Sequence, residues 1–207
     1  MPKPDLVLLH PPSVYDFRKE TIMYGPISDV VPPTQIFDMY PIGFISMLGY
    51  LERHGYNVRI VNLALKMLRD QKFDPEAMIK SLNPKAFGID FHWLVHAQGS
   101  LEVAKIVKKY HPNTPVIFGG LSSTYFHAQI IDGYPQVDYV IRGDSTEQPL
   151  LFLMQYIEKN RLPDDIPNVT WRDANKKIHF NPFAYVPNSL DDFVIDAGRI
   201  VKASLKY

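Results

Sequence analysis

The 207-residue chain contains no cysteine. That absence excludes disulfides, thiol nucleophiles, zinc ribbons and any iron–sulfur cluster held by this chain alone. Charge of one sign is missing too: Lys+Arg and Asp+Glu both number 22, for a formal net charge of +0. Such a balance argues against a nucleic-acid partner bound by phosphate neutralisation. No apolar run approaches the ~20 residues of a membrane span, and the opening MPKPDLVLLHPP lacks the layout of a secretory signal. No membrane partner is therefore expected, and the chain reads as cytoplasmic. There is no internal repeat, no low-complexity tract, no G-x-G-x-x-G after the first apolar run and no P-loop lysine. The commonest dinucleotide and triphosphate sites are excluded with them.

What is present is a packed globular composition, 46% hydrophobic, with a regular alternation of elements. The run from Asp5 to His10 is a buried strand stopped by Pro11 and Pro12. A Pro-, Tyr- and Asp-rich stretch from Tyr15 to Tyr40 follows; connections this long are usually lids or binding loops. Pro41 opens a helix that Gly55 ends. Val58–Leu63 reads as a second strand and Pro75–Leu82 as a helix capped by Asp74. A third strand, Ala86–Phe91, leads to an amphipathic helix over Ser100–Tyr110. Pro115–Phe118 is a fourth strand, Tyr125–Ile131 a short helix, Val137–Ile141 a fifth strand and Gln148–Lys159 a last helix. Continuous apolar strands alternating with helices predict a parallel sheet covered on both faces. The fold class is α/β, a doubly wound, flavodoxin-like (Rossmann-like) five-stranded sheet of order 2-1-3-4-5. Residues 1–162 form that domain; residues 163–207 add a β-hairpin (VTWRD, ANKK, IHFNP) and a linker or docking arm.

Ligands of such sheets bind beyond the carboxyl ends of the strands, where the winding reverses. The residues that matter therefore follow the strands. Gly119 and Gly120, at the exit of strand four, let the backbone bend tightly or lie against a flat group. Leu121 and Ser122 come next, and hydroxyls from Ser122 to Thr124 can donate at a helix start. A tight strand-to-helix turn explains the glycines equally well. After strand five, Arg142, Gly143, Asp144 and Glu147 resemble a capping box, with Asp144 as cap, as much as a site.

The ordered set LLHPP, PIGFISMLGYLERHGYNVRIVNLA, FGID, PVIFGG and VDYVIRGDSTEQPLLFL, spanning about residues 5–160, resembles the N-terminal cobalamin-binding domain of radical SAM proteins. The resemblance implies a slot beside Gly119 and Gly120 for the cofactor's dimethylbenzimidazole arm, with Ser122 on its phosphate or ribose. It implies a corrin ring over the carboxyl edge, contacted by Pro11, Pro12 and Ser13, by Asp90, Phe91, His92 and Trp93, and by Gly143, Asp144 and Glu147. Residues 15–40 would cover it. The Asp-x-His-x-x-Gly motif of cobalamin mutases, whose His ligates cobalt, is missing after strand one. Binding is therefore expected base-off and His-off; His92, two residues from Asp90, reads as a wall or hydrogen-bonding residue, with cobalt ligation as the alternative. A radical SAM enzyme also needs a [4Fe–4S] cluster and S-adenosylmethionine; with no cysteine here, these belong to a C-terminal radical SAM barrel, in the same polypeptide or a partner, and this chain is expected to be a fragment of such a protein. The implied parent reaction is methyl transfer or related radical chemistry.

Rival readings on the same sheet carry less. A flavodoxin needs amide donors after strand one, where Pro11 and Pro12 remove two. A receiver domain needs an acidic pair and a lysine that are absent. Another small-molecule binder remains open, because fold alone does not fix function. The non-ligand alternative is a degenerate domain that only docks to a barrel through Phe91, Trp93, Tyr125 and Phe126, with Phe183, Tyr185 and Phe193 in the arm.

Overall fold

The computed structural model describes residues 3–19 and 41–191, and singly 193, 196 and 198. Most of the long stretch expected to form a cover, and the end of the arm, lie outside the described residues.

Five parallel strands carry the sheet: β1 (Leu6–His10), β2 (Val58–Asn62), β3 (Ala86–Asp90), β4 (Val116–Gly119) and β5 (Tyr139–Ile141). Their order is 2-1-3-4-5, as the alternation predicts. The hairpin extends this sheet. β6 (Val169–Arg172) pairs antiparallel with β5, and β7 (Ile178–Phe180) with β6. Ile166, Val169 and Trp171 are buried in the same core as the parallel strands.

Two cores flank the sheet. One lies under α2 (Leu63–Arg69), α3 (Pro75–Ser81), α4 (Ala97–Tyr110) and α6 (His127–Gly133). The other lies under α1 (Ile42–Arg53) and α7 (Glu147–Glu158). Strand residues alternate between them: Val7 and Leu9 enter the first, Leu6 and Leu8 the second. Among the described residues no helix is long and apolar enough to cross a membrane.

Local chemistry sets the element ends. Asp74 caps α3 by accepting from the Ala77 amide at 2.9 Å, as expected. The second strand stops one residue early, because the Asn62 side chain accepts from the Leu65 amide at 2.8 Å and starts α2. The short helix after the glycine pair is two helices, α5 (Leu121–Tyr125) and α6, meeting at Phe126. Thr146, not Asp144, holds the N-cap position of α7, and no side-chain cap bond forms there.

Candidate functional site

A cavity of about 660 Å³ opens at the carboxyl edge of the sheet and runs beneath α1 and α7. That volume lies within the usual range for small-molecule sites, about 300–1,000 Å³. Strand register explains its shape. Leu8, Gly88 and Ile117 stand side by side on β1, β3 and β4, on the face that α1 and α7 cover. Two residues further along, the next row is His10, Asp90 and Gly119. Phe44 and Met47 of α1, with Leu150 of α7, complete an apolar wall.

The two glycines have different jobs. A Cβ on Gly119 would meet nothing within 4 Å, so its missing side chain leaves space that belongs to the cavity. Gly120 has φ +110°, and a Cβ there would lie 2.6 Å from the His92 Cα. It is glycine because the loop after β3 packs against it. Hydrogen bonds secure that contact: the Ser122 amide and hydroxyl both donate to the His92 carbonyl, at 2.9 Å each. Thr124 Oγ1 donates to the Gly120 carbonyl and accepts from the Gly143 amide, so the loop after β5 is tied in as well.

His10 stands at the exit of β1, where the sequence gives it no assigned role. Its Nδ1 pairs with Asp90 Oδ2 at 3.0 Å, and the residue is 3% exposed. A carboxylate on one ring nitrogen fixes the orientation of the imidazole and of the other nitrogen. That other nitrogen, Nε2, is buried without a hydrogen-bond partner, as are both ring nitrogens of His96. The two rings meet edge-on with centroids 5.5 Å apart, and both line the cavity. The Asp-x-His spacing pointed to His92, but the carboxylate turns to His10. His92 instead takes the Leu121 amide at its Nδ1, at a long 3.4 Å.

Burial, and to a smaller extent the neighbouring His10 and His92, lower the His96 pKa to about 4. The fold thus favours neutral His96, while the unfolded chain takes a proton near pH 6.5. Stability from this group is complete above that pH and is lost as pH falls toward 4, by up to about 3 kcal/mol. Urea midpoints are expected to drop between pH 7.5 and 5, and His96→Leu should flatten that drop.

Asp90, His92, Trp93, Gly119, Gly120 and Leu121 border the cavity, with Gly143 and Asp144 on the far side. The other expected contacts do not. Phe91 points into the opposite core. Pro11 and Pro12 are buried, and Ser13 gives its carbonyl to the Gly99 amide at 3.2 Å. Ser122 is engaged with His92. Buried Arg142 donates to the Asn168 and Asn181 carbonyls and lies over Phe183, bolting the hairpin in place. Glu147 is 5% exposed, and its Oε1 accepts from Ser46 at 2.6 Å, joining α7 to α1 across the cavity roof.

The rim is apolar and exposed: Ile42 at 55%, Trp93 at 52% and Leu121 at 48%. In the arm, Phe193 packs against Tyr50, with ring centroids 5.7 Å apart. Nothing in the described residues groups three His, Cys, Asp or Glu side chains as a complete metal site.

Known proteins are similar to this chain in sequence and in fold. Cytidylyl-2-hydroxyethylphosphonate methyltransferase of Streptomyces wedmorensis is 25% identical over 158 residues, 69% of this chain and 29% of that protein. Anaerobic magnesium-protoporphyrin IX monomethyl ester cyclase of Rubrivivax gelatinosus is 24% identical over 171 residues, covering 79% and 30%. This chain thus spans under a third of the curated relatives it matches. In fold it is similar to the radical S-adenosylmethionine methyltransferase TsrM of Kitasatospora setae, solved with cobalamin and a [4Fe-4S] cluster: TM-score 0.61, 16% identity, over 90% of this chain and 30% of that one. The cobalamin-dependent S-adenosylmethionine radical enzyme OxsB, solved with aqua-cobalamin, gives a TM-score of 0.66 at 14% identity, over 97% and 25%. The family model described as the B12 binding domain matches residues 35–150, more than half of the sequence. On that match, the chain belongs to the B12 binding domain family.

Proposed function

We propose that this chain binds cobalamin with the nucleotide arm inserted beside the sheet and the corrin over its carboxyl edge. One observation carries the reading: an apolar cavity of about 660 Å³ opens at that edge, and the missing Gly119 side chain leaves part of it free. The residues fit the group. Leu8, Ile117, Phe44 and Leu150 would hold the apolar base, and the exposed faces of Trp93 and Leu121 would support the corrin. An arm seated in the cavity cannot also cap cobalt, so the bound form is base-off. No Asp-x-His-x-x-Gly sequence follows β1, so it is also His-off. His10, held by Asp90, presents a buried Nε2 at the entrance and orients the arm there.

When bound, cobalamin supplies cobalt-centred methyl or electron transfer; the protein supplies position and environment. In the whole protein, a radical SAM barrel with its [4Fe–4S] cluster and S-adenosylmethionine would face the apolar rim. The supported reaction is radical methyl transfer or a related radical reaction, as the relatives' names suggest. The same rim would serve a domain that only docks to the barrel, and one experiment separates the two readings. The purified chain is mixed with hydroxocobalamin and desalted. It should keep a red chromophore with a base-off spectrum, and its cob(II)alamin form should show no nitrogen splitting in the electron paramagnetic resonance spectrum. His92→Ala should change neither result. A colourless protein would support docking alone, and nitrogen splitting that vanishes in His92→Ala would establish cobalt ligation.

A further inference from the structure

We propose that the cavity selects the base at the end of the corrinoid's nucleotide arm, accepting a benzimidazole and discriminating against a purine. This deepens the cofactor reading above and rests on it. The polarity of the cavity is graded. His10, Asp90, His92, His96, Asp144 and Thr146 border it, and every one comes from a strand exit or the loop that follows. Deeper in, the wall is Leu8, Ile117, Ile141, Phe44, Met47 and Leu150. The strand backbone cannot compensate, because its amides and carbonyls are engaged in the parallel ladder.

A benzimidazole joined to its ribose carries one ring nitrogen without a partner. The entrance can meet a polar atom at its own level, since His10 Nε2 and both ring nitrogens of His96 are unpartnered and Thr146 carries a hydroxyl. Adenine has a similar outline but brings three free ring nitrogens and an exocyclic amine. Several of these would face aliphatic and aromatic side chains with no hydrogen-bond partner. A buried polar group left unpaired loses its water without replacement, and rejection on that basis is steep. The adenine corrinoid should therefore bind roughly tenfold or more weakly than cobalamin. A corrinoid without the nucleotide arm should also bind more weakly, because it leaves the wall uncovered.

The test is an absorbance or calorimetric titration of the purified chain with three corrinoids: aquacobalamin, its analogue with adenine in place of dimethylbenzimidazole, and cobinamide, which lacks the arm. Tightest binding of aquacobalamin, with the adenine form weaker by tenfold or more, is the expected result. Equal dissociation constants for the benzimidazole and adenine forms would overturn the selection and leave the cofactor reading standing. No binding of any corrinoid would overturn the cofactor reading itself. Leu150→Gln, checked for folding by circular dichroism, adds a donor and an acceptor to the wall and should narrow the benzimidazole-to-adenine ratio. An unchanged ratio in the folded variant would overturn the assignment of selection to this wall. Ile117→Asn makes the same test if Leu150→Gln does not fold.

Discussion

Gly119→Leu is expected to fold and to lose cobalamin, while Gly120→Ala is expected to fold poorly. The two glycines are adjacent, yet their backgrounds are opposite. At position 119 a Cβ finds nothing within 4 Å, and the backbone is that of an ordinary strand end. A leucine there meets no protein atom at its root and extends into the cavity proposed to take the nucleotide arm. Affinity should fall by ~100-fold or more, about 2.7 kcal/mol, with little change in melting temperature. At position 120 the backbone sits at φ +110°, and an added Cβ lies 2.6–2.9 Å from backbone atoms of Phe91 and His92. Backbone cannot step aside as a flexible side chain can. The cost is steric strain plus a disfavoured conformation, about 2–3 kcal/mol of stability. Binding and melting curves measured on both variants check the pair of outcomes. A Gly119→Leu protein that stays folded and keeps full affinity would remove the physical basis of the proposed site.

This division of labour shows what a linear reading reveals and what it hides. The alternation of apolar strands and amphipathic helices was legible because each element carries its own period. The glycine pair was legible because few residues can end a strand and turn at once. Pairings across the sheet were not. His10 and Asp90 are 80 residues apart and meet only because β1 and β3 are neighbours. The local Asp-x-His spacing suggested a different partner, since two residues along a strand exit look closer in sequence than they are in bonding. Arg142 and Glu147 looked like site residues because they flank a strand exit. Their burial depends on the hairpin packing beneath Arg142 and on Ser46 reaching Glu147 from α1. Neither contact leaves a signal in the segment itself.

The same limit hid a third glycine, whose substitution should have the largest effect on stability. Gly99 lies in the first turn of α4, one residue ahead of the amphipathic helix that the sequence predicts from Ser100. Helix propensity alone says that Gly99→Ala should stabilise by about 1 kcal/mol. Packing reverses the sign. A Cβ at Gly99 would lie 1.8 Å from the Pro12 carbonyl oxygen and 2.9 Å from its carbon. Nor can the loop readily retreat. The Gly99 amide donates to Ser13, while Gln98 holds the Tyr15 backbone amide at 2.7 Å and its carbonyl at 3.1 Å. Either these bonds break or α4 shifts, and α4 follows directly on the turn that carries His96 beside His10. The expected loss is about 3 kcal/mol or more, at the large end for one methyl group. Gly133→Ala is the control, since a Cβ at this last residue of α6 meets nothing within 4 Å. Urea unfolding should show Gly133→Ala unchanged or slightly stabilised and Gly99→Ala strongly destabilised. If both variants unfold at the same urea concentration as the parent, the loop after β1 is not pinned to α4, and the entrance of the cavity is not fixed in the way described.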